Sequence, residues 1–195
     1  MKKVSGKLEA ICTVRDKEGL LVNLSALLSE FVSLTSTAEG APRQLFDEFV
    51  NNLREIVNRV QTDKGFLLEK EINRLKILAI TFETKAESFL ITKDLSEKQF
   101  ADLVKLSESA YFPEIFFILK RRTEASLEDI SRDLNVKEQR MTRAFLKRLT
   151  KAGFISTRNN SYSLTENGMK QLRILENTRI LASMENVSPL ANTRR

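Results

Sequence analysis

SLEDISRDLNVKEQRMTRAFLKRLTKAGFISTRNNSYSLTENG, residues 126–168, has the pattern of a short helix, a tight turn, a longer basic helix and a small hairpin. Ser126 can cap the first helix, because its hydroxyl can accept a bond from an orphan N–H of the first turn. Leu127, Ile130 and Leu134 fall at i, i+3 and i+7 and give that helix one apolar face. Asn135 tolerates the left-handed conformation that stops a helix. The second helix is expected over 137–152, with Gly153 closing it. Residues 153–157 and 161–164 alternate as strands do. Between them Arg158-Asn159-Asn160 reads as a hairpin turn in which the asparagines take positive φ. Thr165 is placed to cap a last helix beginning ENGMKQLRIL.

At about 100° per residue, Met141, Ala152, Phe145, Leu149 and Leu146 lie at about 100°, 120°, 140°, 180° and 240° from Arg140 around the second helix. Arg143, Lys147, Arg140 and Lys151 lie at about 300°, 340°, 0° and 20°. One side is therefore a core stripe and the other carries four cations. Any amphipathic helix turns charge to water, but this stripe holds no acid between Arg140 and Lys151. Single-sign charge on the second helix of a helix-turn-helix unit is the pattern that meets phosphate in a DNA major groove. An arginine at a hairpin tip suits contact with backbone phosphate or the minor groove, and equally keeps a hairpin soluble.

The run LTKAGFIS…YSLTENGMKQL resembles the pattern of winged-helix regulators of the MarR and PadR kind, over about residues 113–176. That resemblance implies a recognition helix within 136–150, a wing over 157–161 and a closing helix from Asn167-Gly168. The DNA-contacting residues it implies, together with the charge pattern, are Lys137, Gln139, Arg140, Thr142, Arg143, Lys147 and Lys151, with Arg158, Asn159 and Asn160 in the wing. Winged helices also dock proteins, so the fold alone leaves the partner open.

Composition points the same way. Residues 1–110 hold 16 Lys+Arg against 17 Asp+Glu, and residues 111–195 hold 16 against 9. The net charge of +6 therefore belongs to the second half, where phosphates would be met. The chain has no histidine and one cysteine. That excludes histidine-based general-base catalysis, the Ser-His-Asp arrangement and zinc-finger ligation. It contains neither a P-loop nor a GxGxxG run. No cofactor and no catalytic or metal-ligating residue is expected, and an enzyme is not. Cys12 alternates with Leu8, Ala10 and Val14 as a small core residue would. The Met-Lys-Lys start lacks the apolar stretch of a signal peptide. No apolar run is read as approaching the roughly 20 residues of a membrane span. A single cysteine suits a reducing compartment, and the expected location is cytoplasmic.

The first half is read as a small α/β domain. Residues 7–14 and 20–24 form a hairpin about the turn Asp16-Lys17-Glu18-Gly19, followed by a short helix over 25–34 and a break over 38–42. Residues 43–60 form an amphipathic helix through Leu45, Phe46, Phe49, Leu53, Ile56, Val57 and Val60, ended by Asp63-Lys64-Gly65. Residues 66–71, 74–83 and 87–92 read as strands, LKILAITF being the most strand-like block of the chain. Ser96 caps a helix over 97–108 that packs through Phe100, Leu103, Val104 and Leu106. The order β-β-α-β-β-β-α resembles the roadblock and longin group of domains, over about residues 7–108. Pro113 opens the next helix, whose Ile115, Phe116, Ile118 and Leu119 face a core and whose Lys120-Arg121-Arg122 tail suits the helix dipole or phosphate.

The expected fold class is thus α+β. An α/β sensor, dimerisation or partner-binding domain spans 1–110, a winged helix-turn-helix domain 111–182, and a flexible tail 183–195. The expected function is sequence-specific binding of double-stranded DNA by a homodimer that regulates transcription. The alternative is an interaction adaptor, with a roadblock-like domain engaging a small GTPase or similar protein and the winged helix docking another protein. No membrane partner is expected.

Overall fold

The Asp16 carboxylate accepts a hydrogen bond from the Gly19 N–H at 2.7 Å, with the Asp16 backbone extended. That is a helix N-cap, and the DKEG segment expected to turn a hairpin instead starts helix α1, Lys17–Thr37. Leu20, Leu24, Leu27 and Phe31 are its buried residues, spaced four, three and four apart as a helix requires. The computed structural model describes residues 11, 13–62, 67–93 and 95–186. After α1 come α2 (Gly40–Thr62), α3 (Leu68–Thr92), α4 (Glu97–Ser107), α5 (Tyr111–Arg122), β1 (Glu124–Ser126), α6 (Leu127–Asp133), α7 (Gln139–Lys151), β2 (Ile155–Arg158), β3 (Ser161–Leu164) and α8 (Glu166–Asn186). Two compact units result: one holds the chain up to Ala86 and from Ser183 onward, the other Glu87–Ala182.

The first unit is helical, which overturns the α/β expectation and with it the roadblock resemblance. The block read as three strands is the single helix α3. Leu75, Phe82 and Ala86 are buried, while Ile77 is 40% exposed. In a strand Leu75 and Ile77 would share a face; spacings of seven and four are helical. Isoleucine, threonine and phenylalanine favour strands only where a pleated, half-buried surface receives them, and here packing against other helices prevails. The expected strand over 7–14 and the end at 63–65 lie outside the described residues, apart from Ile11, Thr13 and Val14, as does Cys12.

The core of this unit is aromatic. Phe31 meets Phe49 at 4.3 Å and Phe82 at 5.6 Å between centroids, and Phe49 meets Phe82 at 4.7 Å. Leu53, Ile56, Val57 and Val60 are buried on α2 as the sequence pattern predicted. Contrary to the expectation that no such stretch exists, α1 is by length and composition apolar enough to cross a membrane. Its Leu20, Leu24, Leu27 and Phe31 instead belong to this core.

In the second unit, α5 supplies Phe112, Ile115, Phe116, Ile118 and Leu119 to a core shared with Leu127 and Ile130 of α6, Leu146 and Leu149 of α7, Phe154, Ile155 and Leu172. Pro113 is the third residue of α5 rather than the first. The sheet has the order β1-β3-β2 with antiparallel pairs, Ala125 opposite Tyr162 and Thr157 opposite Tyr162 on the other side. Helix α4 keeps its expected start, since Ser96 forms a capping box with Gln99. Its expected packing face is only partly used: Leu106 is buried, but Phe100 and Val104 are 50% and 41% exposed. Helix α8 runs through Ser183 to Asn186, where a flexible tail was expected.

Thr165 binds the hairpin to α8. Its N–H donates to the Phe154 carbonyl at 3.0 Å, and its hydroxyl accepts from the Gly168 N–H at 3.1 Å. A Cβ at Gly168 would lie 2.0 Å from the Phe154 carbonyl oxygen, so no larger residue fits without moving the hairpin. Helix propensity alone would make Gly168→Ala stabilising by up to about 1 kcal/mol. The clash predicts the opposite sign, a loss of about 1–3 kcal/mol. Urea unfolding of the variant checks this, and a gain in midpoint would contradict the close approach.

Candidate nucleic-acid interface

Helix α6 starts at Ser126 as expected. The Asp129 N–H donates to the Ser126 hydroxyl oxygen at 3.1 Å, and the Ser126 hydroxyl donates to the Asp129 carboxylate at 2.8 Å. Asn135 then takes φ 55°, its short polar side chain permitting the left-handed turn. Lys137 lies in that turn, before α7 begins at Gln139. Two helices around a left-handed asparagine make the helix-turn-helix. The Val136 N–H donates to the Ser131 carbonyl at 2.9 Å and ties the turn back to α6.

Helix α7 buries Thr142, Leu146 and Leu149. Arg140, Arg143, Lys147 and Lys151 stand exposed on the other side, and Gln139 is exposed at the start of the helix. Two expectations fail here. Thr142, read as a DNA contact, is 4% exposed with its hydroxyl oxygen buried and unpartnered. Its angle of about 200° lies between those of Leu149 and Leu146, which puts it on the core side. Met141, read as core, is 56% exposed, because the buried arc centres near Leu149 and leaves the 100° edge in water. Arg148, at about 80° on that edge, is an exposed cation that the sequence reading passed over.

The hairpin has the expected tip. Asn159 and Asn160 adopt φ 50° and 61°, the two positive values of a type I′ turn, whose twist matches that of the strands. Arg158, Asn159 and Asn160 are all exposed. The Ser156 and Ser163 hydroxyls lie 3.0 Å apart across the strands. Strand β1, three residues long, was not foreseen; so short a run carries no legible alternation.

The pairing of charges separates one surface from the rest. On α5, Arg122 makes a two-point contact with Asp133, 2.9 and 3.0 Å, and Arg121 lies 4.0 Å from the same carboxylate. Lys120 pairs with Glu176, and Arg132 with Asp129. On α8, Lys170 pairs with Glu166, Arg173 with Glu87, and Arg179 with Glu114 while stacking on Phe117. The basic tail of α5, read as suiting the helix dipole or phosphate, is thus engaged with acids within the protein. By contrast Lys137, Arg140, Arg143, Lys147, Arg148, Lys151 and Arg158 have no ion-pair partner among the described residues. Apart from Lys137, these unpaired cations of the winged region lie on α7 and the hairpin. Among the described residues no group of three or more His, Cys, Asp and Glu is placed to hold a metal ion.

With this geometry in view, residues 114–183, little more than a third of the chain, match the family model described as a winged helix-turn-helix. No solved structure matches the chain. The C-terminal unit therefore carries a winged helix-turn-helix, in which α6 and α7 are the two helices and β2-β3 the wing.

Thr142 costs the fold an unpaired buried hydroxyl, a penalty of about 1–3 kcal/mol for such a group. Thr142→Val keeps the shape and removes that cost, so it should raise the unfolding midpoint and leave nucleic-acid affinity unchanged. A fall in affinity without loss of stability would return Thr142 to the interface. Hydrogen bonds from Ser126 hold the Asp129 carboxyl below its ordinary value, and the Arg122 guanidinium does the same for Asp133. The folded values lie below the unfolded ones, so this stabilisation is complete above the ordinary value of 3.8. It is lost as pH falls through the depressed values. Asp129→Asn with Asp133→Asn should flatten the acid limb of the stability profile, measured by urea midpoints across that range; an unchanged slope would contradict the assignment.

Proposed function

We propose that this protein is a sequence-specific, double-stranded DNA-binding transcriptional regulator of the MarR and PadR kind. It acts as a cytoplasmic homodimer without catalytic activity. The observation that carries the reading is the set of unpaired cations on α7 and the hairpin of a winged helix-turn-helix, beside cations elsewhere in the winged region that are paired with acids. Phosphate is the partner that a one-sign, unpaired surface of this shape fits. In the proposed complex α7 enters the major groove. Arg140, Arg143 and Gln139 then reach base edges from its first half, and Lys147 and Lys151 meet phosphates. Arg158, Asn159 and Asn160 lie on the backbone or in the minor groove, and Lys137 contacts phosphate ahead of the helix. A single recognition helix spans few base pairs, so two copies on a pseudo-palindrome supply the specificity. The half-site centres then lie about one helical turn apart, or a multiple of it. The helical first unit is the proposed dimerisation or sensing part. The adaptor alternative took a roadblock-like domain as its first half, and the helices of that unit do not support that half.

Titration of duplex DNA at several salt concentrations tests the proposal. Affinity should fall steeply with salt, by a logarithmic slope of roughly −0.9 per phosphate neutralised. Lys151→Ala should reduce that slope by about 1 and weaken all sequences alike. Arg143→Ala should cost about 1–3 kcal/mol on the cognate site and relax one base position. Sedimentation of the complex should give two chains per site. Equal and small effects of both substitutions would mean that the cationic face is only solvated.

A further inference from the structure

Within the C-terminal unit a cavity of about 270 Å³ opens beside the end of α7. Gln99, Asp102, Leu103 and Leu106, at i, i+3, i+4 and i+7, present one face of α4 to it. Its apolar lining is mainly aliphatic: Ile91 and Leu106 are buried, Leu103 is half-buried, and Phe154 is the one aromatic residue. Arg148 and Lys151 line it from α7, against the single carboxylate of Asp102. Neither cation is ion-paired among the described residues.

Protein interiors are close-packed, and a hollow with an apolar lining and a few convergent polar groups is the usual form of a small-molecule site. The volume falls just below the roughly 300–1,000 Å³ common for drug-sized ligands, so the occupant is small. An aliphatic lining suits a hydrocarbon chain better than a flat ring. The excess of positive charge selects an anion, and a guanidinium can grip a carboxylate at two points.

We infer that this cavity binds a medium-chain aliphatic carboxylate, with its chain against Leu103 and Leu106 and its carboxylate on Arg148 and Lys151. Lys151 belongs to both this cavity and the cationic face of α7. An occupant therefore neutralises a charge that the proposed DNA complex uses, and each ligand weakens the other by the same factor. This coupling rests on the function proposed above; binding to the cavity does not.

Methyl NMR spectra of the full chain, titrated with octanoate, 1-octanol and octylamine, test the inference. Octanoate should shift the Ile91, Leu103 and Leu106 methyls saturably and bind about tenfold more tightly than 1-octanol, the scale of one charge-assisted contact. Arg148→Gln should erase that preference while 1-octanol still binds. Leu103→Trp, with its unfolding midpoint checked, should fill the cavity and abolish both titrations. Unmoved methyls, or equal affinity for all three compounds, would overturn the assignment. In the duplex titration octanoate should lower affinity several-fold and reduce the salt slope by about 1. Octanoate binding with unchanged duplex affinity would overturn the coupling. Absence of duplex binding altogether would sink the proposed function, and the methyl shifts would still decide the cavity.

Discussion

Phe154 is held from four directions, and the winged helix-turn-helix depends on that. Its ring meets Phe112 and Phe116 of α5 edge-on, at 6.2 and 5.9 Å between centroids. Its N–H donates to the Leu149 carbonyl at the end of α7, and its carbonyl accepts from the Thr165 N–H at the start of α8. The same carbonyl oxygen leaves no room for a side chain at Gly168. One residue thus links the core helix α5, the second helix α7 of the helix-turn-helix, the hairpin and the closing helix α8. Edge-to-face rings add stabilisation beyond the area they bury, on the order of 0.5–1.5 kcal/mol per pair. The orientation of α7 relative to the hairpin is therefore set by packing, before any charge is considered.

Charge then acts on a surface that packing has already shaped. Acids lie beside the cations of α5, α6 and α8, where Asp129, Asp133, Glu166 and Glu176 hold them. No acid lies on α7. An exposed ion pair contributes little to stability, typically 0 to about 1 kcal/mol, so the value of this segregation lies elsewhere. It keeps one face single-signed, which matters for a polyanion and little for the fold.

Much of the second unit was legible because its signals are local. A serine before an apolar-periodic run, an asparagine after it, two asparagines between alternating stretches and a threonine before Glu-Asn-Gly each act within a few residues. The structure realises each of them. The first unit misled because its signals fit two structures at once. LKILAITF satisfies strand composition and helix periodicity at once, and only burial of Leu75 and Phe82 with exposure of Ile77 decides between them. DKEG serves a hairpin turn or an N-cap equally well by composition, and the hydrogen bond from Gly19 to Asp16 makes it a cap. In the site itself, the cationic face was readable from the helical wheel. Thr142 was misassigned because polarity was weighed above its angle, and Arg148 was missed because it sits where stripe and core meet.

In the proposed function the unpaired cationic face of α7 reads duplex DNA. Genome-wide capture of DNA fragments by the purified full-length protein tests it most directly. One pseudo-palindromic motif should be enriched, with half-sites about a helical turn or a multiple of it apart. Smooth background across the genome, with no motif enriched, would contradict it.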